Sequence, residues 1–413
     1  MDTVIERCCG LDVHKDTVVA CVRTPGKGGK RQVQTRTFPT MTRDILALRD
    51  WLVAMRVTLV GMESTGVYWK PVFYLLEDEL ERWLLNARHL RNVPGRKTDV
   101  GDAEWICKLV EHGLVRPSFV PPKEIRELRN LTRYRRSQIQ ERTREAQRLD
   151  KILQDAGVKL SSVASDILGK SGREMLRALM SGTKDPEVLA ELAKGRLRKK
   201  IPELRRALEG NFSRHHAFII GKILAKLEYL EEVISELSDD IERVIAPFCR
   251  EVELLDTIVG VDRITAQCII AEIGVDMSRF GDSAHLASWA GICPGNNESG
   301  GKRKSGRTRN GSKWLSATLS QASEAAGRSK DTYLSARFAR IRGRRGHAKA
   351  RTAVSHSILV AAYHVLDKKV PYKDLGPDWR LTRRPDAHAR RLAEQIESLG
   401  FRVTIESGVP EAA

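Results

Sequence analysis

Cys9-Gly10-Leu11-Asp12-Val13-His14-Lys15-Asp16 is an apolar segment that ends in charge, and the apolar run Val18–Val22 follows it. A strand, a tight polar turn and a returning strand are the simplest conformation for that pattern. Asp12 then lies near the end of a buried-looking strand, where a charge needs a reason, because a carboxylate is costly to remove from water. Glu63 repeats the arrangement. Val57-Thr58-Leu59-Val60-Gly61-Met62-Glu63 is a second apolar run, closed by Ser64-Thr65-Gly66. Asp99 and Asp102 stand three apart at the start of a predicted helix running to about His112, so both carboxylates share one helix face.

Carboxylates gathered from two strand ends and a helix start point to a divalent metal. Mg²⁺ is a hard cation that takes oxygen ligands and keeps several waters. Two such ions, about 3.5–4 Å apart, activate an attacking oxygen and neutralise the leaving oxygen of a phosphodiester. Asp12, Glu63, Asp99 and Asp102 are therefore the expected metal ligands of a nuclease centre. Without metal the four repel one another, which raises some of their pKa values and destabilises the fold. Asp16, Asp44, Asp78 and Glu81 read as solvated surface charges.

Around these acids the chain alternates strands and helices. Arg31–Phe38 is a predicted third strand. Arg43–Met55 is a helix with Ile45, Leu46, Leu48, Leu52 and Val53 inward. Val57–Glu63 is a strand, Val67–Leu80 a helix and Arg82–Asn86 a short strand. A mixed sheet with helices on both faces is the simplest solution. The order is also that of the ribonuclease H-like nuclease fold.

The 413 residues suffice for two or three domains with real cores. Hydrophobic content of 41% with 30% charged residues fits a soluble globular protein. No apolar run reaches the ~18 residues needed to span a bilayer, and Met1–Arg7 lacks the pattern of a signal peptide. A cytoplasmic protein without membrane contact is expected. The net charge of +18 points to a polyanionic partner, nucleic acid first. None of the seven cysteines forms a CxxC pair, so most are expected to be reduced core residues.

The basic loop His89–Asp99, with Arg96 and Lys97, would bring a phosphate backbone towards the acids. Lys123–Asp155 is a predicted helix rich in arginine, including Arg129, Arg133 and Arg136, over a seam of Ile125, Leu128, Leu131, Ile139, Leu149 and Leu153. So many like charges on one helix repel unless a polyanion covers them, and arginine suits phosphate forks. Gly157–Asn211 reads as short helices without an assigned role. In Phe218–Val244 the residues Ile220, Ile223, Leu227, Leu230, Ile234, Leu237, Ile241 and Val244 alternate steps of three and four, a coiled-coil seam. It pairs within the chain, against the arginine-rich helix, or between chains. Leu254–Ala266 has the outline of a helix-hairpin-helix turn about Gly260, whose following helix start would bind a phosphate. The loop Gly295–Arg307 is glycine-rich and basic through Lys302, Arg303, Lys304 and Arg307. A serine among such cations could attack a phosphate. Serines in glycine-rich loops are more often turn formers, and composition alone does not separate Ser299 from Ser305 or Ser312. Arg337–Lys349 is a further basic run for backbone neutralisation. The expected divisions are residues 1–120 for the nuclease domain, 121–250 for a basic helical and coiled-coil region, 251–375 for a mainly helical domain with the serine loop, and 376–413 for a peripheral tail.

Three motifs carry a resemblance: Gly10–Lys15, Glu63–Tyr68 and Lys97–Ala103 resemble the amino-terminal domain of the DEDD transposases of the IS110 group of insertion sequences, including its IS1111 branch. Gly260–Lys313 resembles that family's carboxy-terminal transposase domain, through Gly-Ile-Cys-Pro and Glu-Ser-Gly-Gly-Lys. The resemblance implies a RuvC-like fold, with Asp12, Glu63, Asp99 and Asp102 holding Mg²⁺. It implies that Ser299 attacks DNA to give a covalent phosphoserine. It further implies a composite site in a homo-oligomer, a dimer or tetramer, and a bridge-type non-coding RNA that pairs with donor and target DNA. The arginine-rich helix would then hold RNA by shape and phosphate contacts. Two alternatives remain open: a hydrolytic RuvC-like junction nuclease without a covalent intermediate, and a non-enzymatic nucleic-acid-binding module.

Overall fold

The hairpin forms where the pattern places it. In the structure, a computed structural model, β1 (Cys8–Val13) and β2 (Thr17–Pro25) pair antiparallel with Val13 opposite Val18, and β3 (Arg31–Pro39) extends the meander. Residues 3–64, 66–86, 90, 101–294, 298–303, 306, 308–383 and 385–405 are described. α1 (Thr42–Ala54) leads to β4 (Leu59–Glu63), parallel to β1, and α2 (Trp69–Leu75) leads to β5 (Glu81–Leu85), parallel to β4. The sheet order β3-β2-β1-β4-β5 is ribonuclease H-like.

Strand side chains alternate between faces. Cys9, Leu11 and Val13 meet the helices α1 and α2, while Cys8, Cys21 and Leu59 meet α3 (Asp102–Glu111). Two glycines let α3 approach the sheet. A Cβ on Gly10 would lie 2.2 Å from the Ala103 carbonyl oxygen, and one on Gly61 would lie 2.5 Å from a Val110 methyl. Glu111, the last residue of α3, is buried and pairs with Arg23 Nε at 2.8 Å and Arg31 Nε at 2.6 Å. Paired in this way, its charge is tolerable in the core.

Two expectations need correction here. The helix predicted over Val67–Leu80 is confined to Trp69–Leu75, and Val67 and Tyr68 are exposed. Glu77-Asp78-Glu79 follows, and acidic residues oppose the negative end of a helix dipole. Val53 is exposed as well, because the buried stripe of α1 is Ile45, Leu48 and Leu52, and Val53 lies a further 100° round the helix.

The chain divides into two compact units, Met1–Val120 and Pro121–Ala413. In the second, α4 (Lys123–Asp155) runs antiparallel to the later α9 (Arg214–Ile245). Arg142 pairs with Glu231 at 2.7 Å, and Lys226 reaches Glu141 at 3.0 Å and Glu145 at 2.7 Å. The isoleucine–leucine repeat of α9 is thus used within the chain, along the arginine-rich helix. Ile220, Ile223, Leu227, Leu230 and Ile241 are buried, whereas Ile234, Leu237 and Val244 are half-buried. On α4 the expected seam is broken: Ile139 is exposed, and Arg135 is buried one helical turn before it.

Between the two long helices lie α5 (Leu160–Val163), α6 (Lys170–Met180), α7 (Pro186–Glu191) and α8 (Ile201–Leu208). They close a core over Leu149, Leu153, Ile220 and Leu227, which gives Gly157–Asn211 a packing role. Next come α10 (Cys249–Asp256), α11 (Arg263–Ile273) and α12 (Ser283–Trp289), then the short strands β6 (Glu298–Ser299) and β7 (Lys302–Arg303). α13 (Lys313–Arg328), α14 (Tyr333–Arg345) and α15 (His347–Lys368) pack together, and the tail holds α16 (Trp379–Thr382) and α17 (Pro385–Glu397). No helix among the described residues is long and apolar enough to cross a membrane.

Candidate functional site

Strand register brings two of the acids side by side. Leu11 of β1 pairs with Met62 of β4, the last pair of that register, and Asp12 and Glu63 are the residues that follow on the two strands. Adjacent strands are about 4.8 Å apart. Cys8 and Gly10 face α3, as do Leu59 and Gly61, so alternation turns Asp12 and Glu63 to that face too. Along β1, Cys8 bonds to the Cys107 carbonyl, and Gly10 lies under both Ala103 and Cys107. Asp12 therefore lies towards the Asp102 end of α3. Asp102 is also the first residue of that helix, where a carboxylate complements the dipole.

Asp12 contacts His14 Nε2 at 3.1 Å, and its side chain keeps 22% of its exposure. Carboxylate oxygens would suit a hard ion such as Mg²⁺ better than a thiolate-seeking one. Among the described residues no three His, Cys, Asp or Glu side chains are close enough to enclose a metal ion. Asp99 and the basic Arg96 and Lys97 lie outside the described residues. The four cysteines of this unit, Cys8, Cys9, Cys21 and Cys107, are buried free thiols, and burial pushes the Cys9 thiol up from its ordinary value.

In the second unit Ser299 ends β6. It pairs with Lys302 across Gly300 and Gly301, whose φ values are 58° and 73°. Two consecutive positive φ angles give the primed turn of a tight hairpin, which glycine adopts without strain. The base of the loop is pinched. Pro294 bridges Thr308, a Cβ on Gly311 would lie 2.0 Å from the Ala290 carbonyl oxygen, and one on Gly291 would lie 2.6 Å from the Arg309 carbonyl oxygen. Lys302 is exposed; Lys304, Ser305 and Arg307 lie outside the described residues, and so does the side chain of Arg303.

Ser312 has another task. It caps α13 by accepting from the Leu315 amide at 3.2 Å, and it donates to Glu272 Oε2 at 2.8 Å. Glu272, at 3% exposure, also receives Arg133 on both oxygens, at 2.7 and 2.9 Å. Arg129 donates to the Ala271 and Glu272 carbonyls at 2.9 and 2.7 Å, closing the C-terminal end of α11. Arg136 donates to Thr318 Oγ1 at 2.9 Å. Internal acceptors thus answer much of the charge on α4. Sequence reasoning missed Glu272; its signal was an acid inside the apolar run Ile269-Ile270-Ala271-Glu272-Ile273.

The helix-hairpin-helix expectation is altered in the same way. Gly260 makes the bend, with φ 85°, and a Cβ there would lie 2.4 Å from the Ala322 carbonyl oxygen. Asp262, however, accepts from the Thr265 amide at 2.8 Å. Its carboxylate occupies the helix start that a phosphate would use.

Two family models match the chain. Residues 9–157 are similar to the DEDD transposase model of the IS110 type, and residues 252–339 to the transposase model of the IS116/IS110/IS902 family. Together they span more than half of the sequence. No curated protein matches it.

Proposed function

The chain belongs to the IS110 family of transposases, and on that premise we propose that it cuts and rejoins DNA through a covalent Ser299 intermediate. It is a DNA transposase of an insertion sequence, an enzyme of DNA strand transfer. Asp12, Glu63, Asp99 and Asp102 would hold Mg²⁺, which supplies charge neutralisation at the scissile phosphate. The observation that supports this reading is the Leu11–Met62 pair, after which Asp12 and Glu63 follow on neighbouring strands whose alternation turns them to the α3 face.

The Ser299 hydroxyl loses its proton and bonds to phosphorus. The bond to one deoxyribose oxygen breaks, and that oxygen leaves with the electron pair and takes a proton. Attack by a deoxyribose hydroxyl of a second strand reverses the step and releases the serine. The tight Gly300–Gly301 turn and the pinched loop base hold the nucleophile's backbone in place, which lowers the entropy cost of attack. Donor and target DNA are the substrates, and a bridge-type RNA is the guide, held by the basic surfaces of α4 and the serine loop. The working form is a homo-oligomer in which acids and serine come from different copies.

Incubation with cognate DNA, Mg²⁺ and co-purified RNA, followed by a denaturing gel, tests this. Ser299→Ala is expected to abolish protein-linked DNA while nucleic-acid binding persists; a surviving adduct would move the nucleophile elsewhere. Asp12→Asn is expected to remove Mg²⁺-dependent cleavage, and undiminished cleavage would reject the metal assignment. Free DNA ends without an adduct in the unaltered chain would favour hydrolysis. Mixing the Asp12→Asn and Ser299→Ala chains is expected to restore an adduct that neither forms alone; no recovery would place both groups in one copy.

A further inference from the structure

Four arginines of α4 meet a carboxylate, and Arg126 and Arg129 donate to backbone carbonyls. Arg133 is met by Glu272, Arg142 by Glu231, Arg144 by Glu141 and Arg148 by Glu145. Arg135 and Arg136 have neutral partners. Arg135 is 4% exposed and donates to the Gln267 amide oxygen at 3.2 Å. Gln267 in turn donates to Glu242, whose two oxygens are held by Arg263. Arg136 donates to Thr318 and reaches Gln321 at 3.5 Å. Glu242 acts on Arg135 only through the Gln267 relay and at longer range, and Arg136 is half-buried with no ion pair among the described residues.

Both line a groove of about 560 Å³ between α4, α11 and α13. On α4 its wall includes Thr132, Arg136, Gln140, Thr143 and Gln147, with Arg135, Ile139 and the Glu141-paired Arg144 beside them. The spacing of the first five, in steps of four, four, three and four, makes one stripe along the helix. Among the described residues that line the groove there is no Asp or Glu. Ile139 and Ile264, 43% and 55% exposed, stand in its wall as apolar surface for sugars or bases.

We propose that this groove seats a nucleic-acid strand, with backbone phosphates against Arg135 and Arg136 and with the threonine and glutamine side chains as neutral donors. Such side chains are common phosphate partners, and a charged donor strengthens the bond. The stripe is roughly 22 Å long at 1.5 Å per residue, enough for about six nucleotides of one strand. The inference rests on the transposase reading only for the source of the phosphodiester, RNA or DNA.

The test uses the full chain and fluorescence anisotropy with labelled single-stranded RNA, single-stranded DNA and duplex DNA of one sequence, each titrated with salt. Arg136→Gln is expected to lower the slope of log K against log salt by about one. Gln140→Glu, an exposed change that puts an anion in the groove, is expected to weaken binding at least tenfold. Arg198→Gln, an equal charge change away from the groove, is expected to leave the slope unaltered. Changes confined to RNA or to DNA would support the groove and identify its strand. Unaltered binding of all three probes by both groove variants, or an equal loss in Arg198→Gln, would overturn it. If Arg136→Gln fails to fold, Gln140→Glu still decides. Ser299 is not needed for binding. A groove response in a chain that forms no DNA adduct overturns the serine reading alone, and an adduct with no groove response overturns the groove alone.

Discussion

Glu272 shows what one side chain does in this protein. It joins α4, α11 and the cap of α13 through Arg133 and Ser312. Glu272→Gln leaves those donors without their anion and is expected to cost about 1–3 kcal/mol, read as a lower urea midpoint. Glu104→Gln breaks only a helical i,i+4 pair with Lys108 and is expected to stay within about 0.5 kcal/mol. Glu242 offers a pH test. Its bond to Arg263 holds the carboxyl below its ordinary 4.5. The pair's contribution is therefore complete above that value and fades as pH falls through the lower folded value. Glu242→Gln is expected to flatten this acid limb of the melting temperature. Legibility at this scale was uneven. Asp12 and Glu63 stood out because acids close apolar runs there, whereas nothing local to Ser312 or Arg129 told that their partners lie 40 and 142 residues away.

At the scale of elements, two glycine contacts set the positions that matter. Gly10→Ala drives a methyl group into the backbone of α3 and is expected to cost 3 kcal/mol or more, roughly the upper range for overpacking. Because α3 carries Asp102, metal-dependent cleavage should fall further than stability alone explains. Gly311→Ala opens the base of the serine loop and is expected to cut adduct formation at least tenfold. Gly306→Ala, with open space around it, is expected to be silent, and equal effects of the two would remove the positioning role of the loop base. The strands were readable because period-two alternation is a short-range signal, and α4 was readable end to end. α2 was predicted too long because apolar spacing continues past the point where Glu77 and its neighbours end the helix.

For the whole molecule, the charge of +18 remains an argument for a polyanion, although a good part of the arginine on α4 is matched from inside. If the proposed reading holds, strand affinity would come from cations and cleavage from a metal held by the acids, so chelating divalent ions is expected to stop cleavage and spare binding. Loss of both together in anisotropy and cleavage assays would contradict that division. The long apolar repeat of α9 was compatible with pairing inside or between chains, and it is covered in part by α4.

The amino-acid order by itself determined the order of strands and helices in the first unit, the acids that close β1 and β4, and the helical character of the rest, because those follow from periodicity over a few residues. Only the tertiary structure decided which arginines face a carboxylate and which face a neutral groove, that Ser312 is a helix cap, and that the α9 repeat packs on α4. A charged side chain takes its role from the acceptor it meets, and that acceptor comes from a segment far away in the chain.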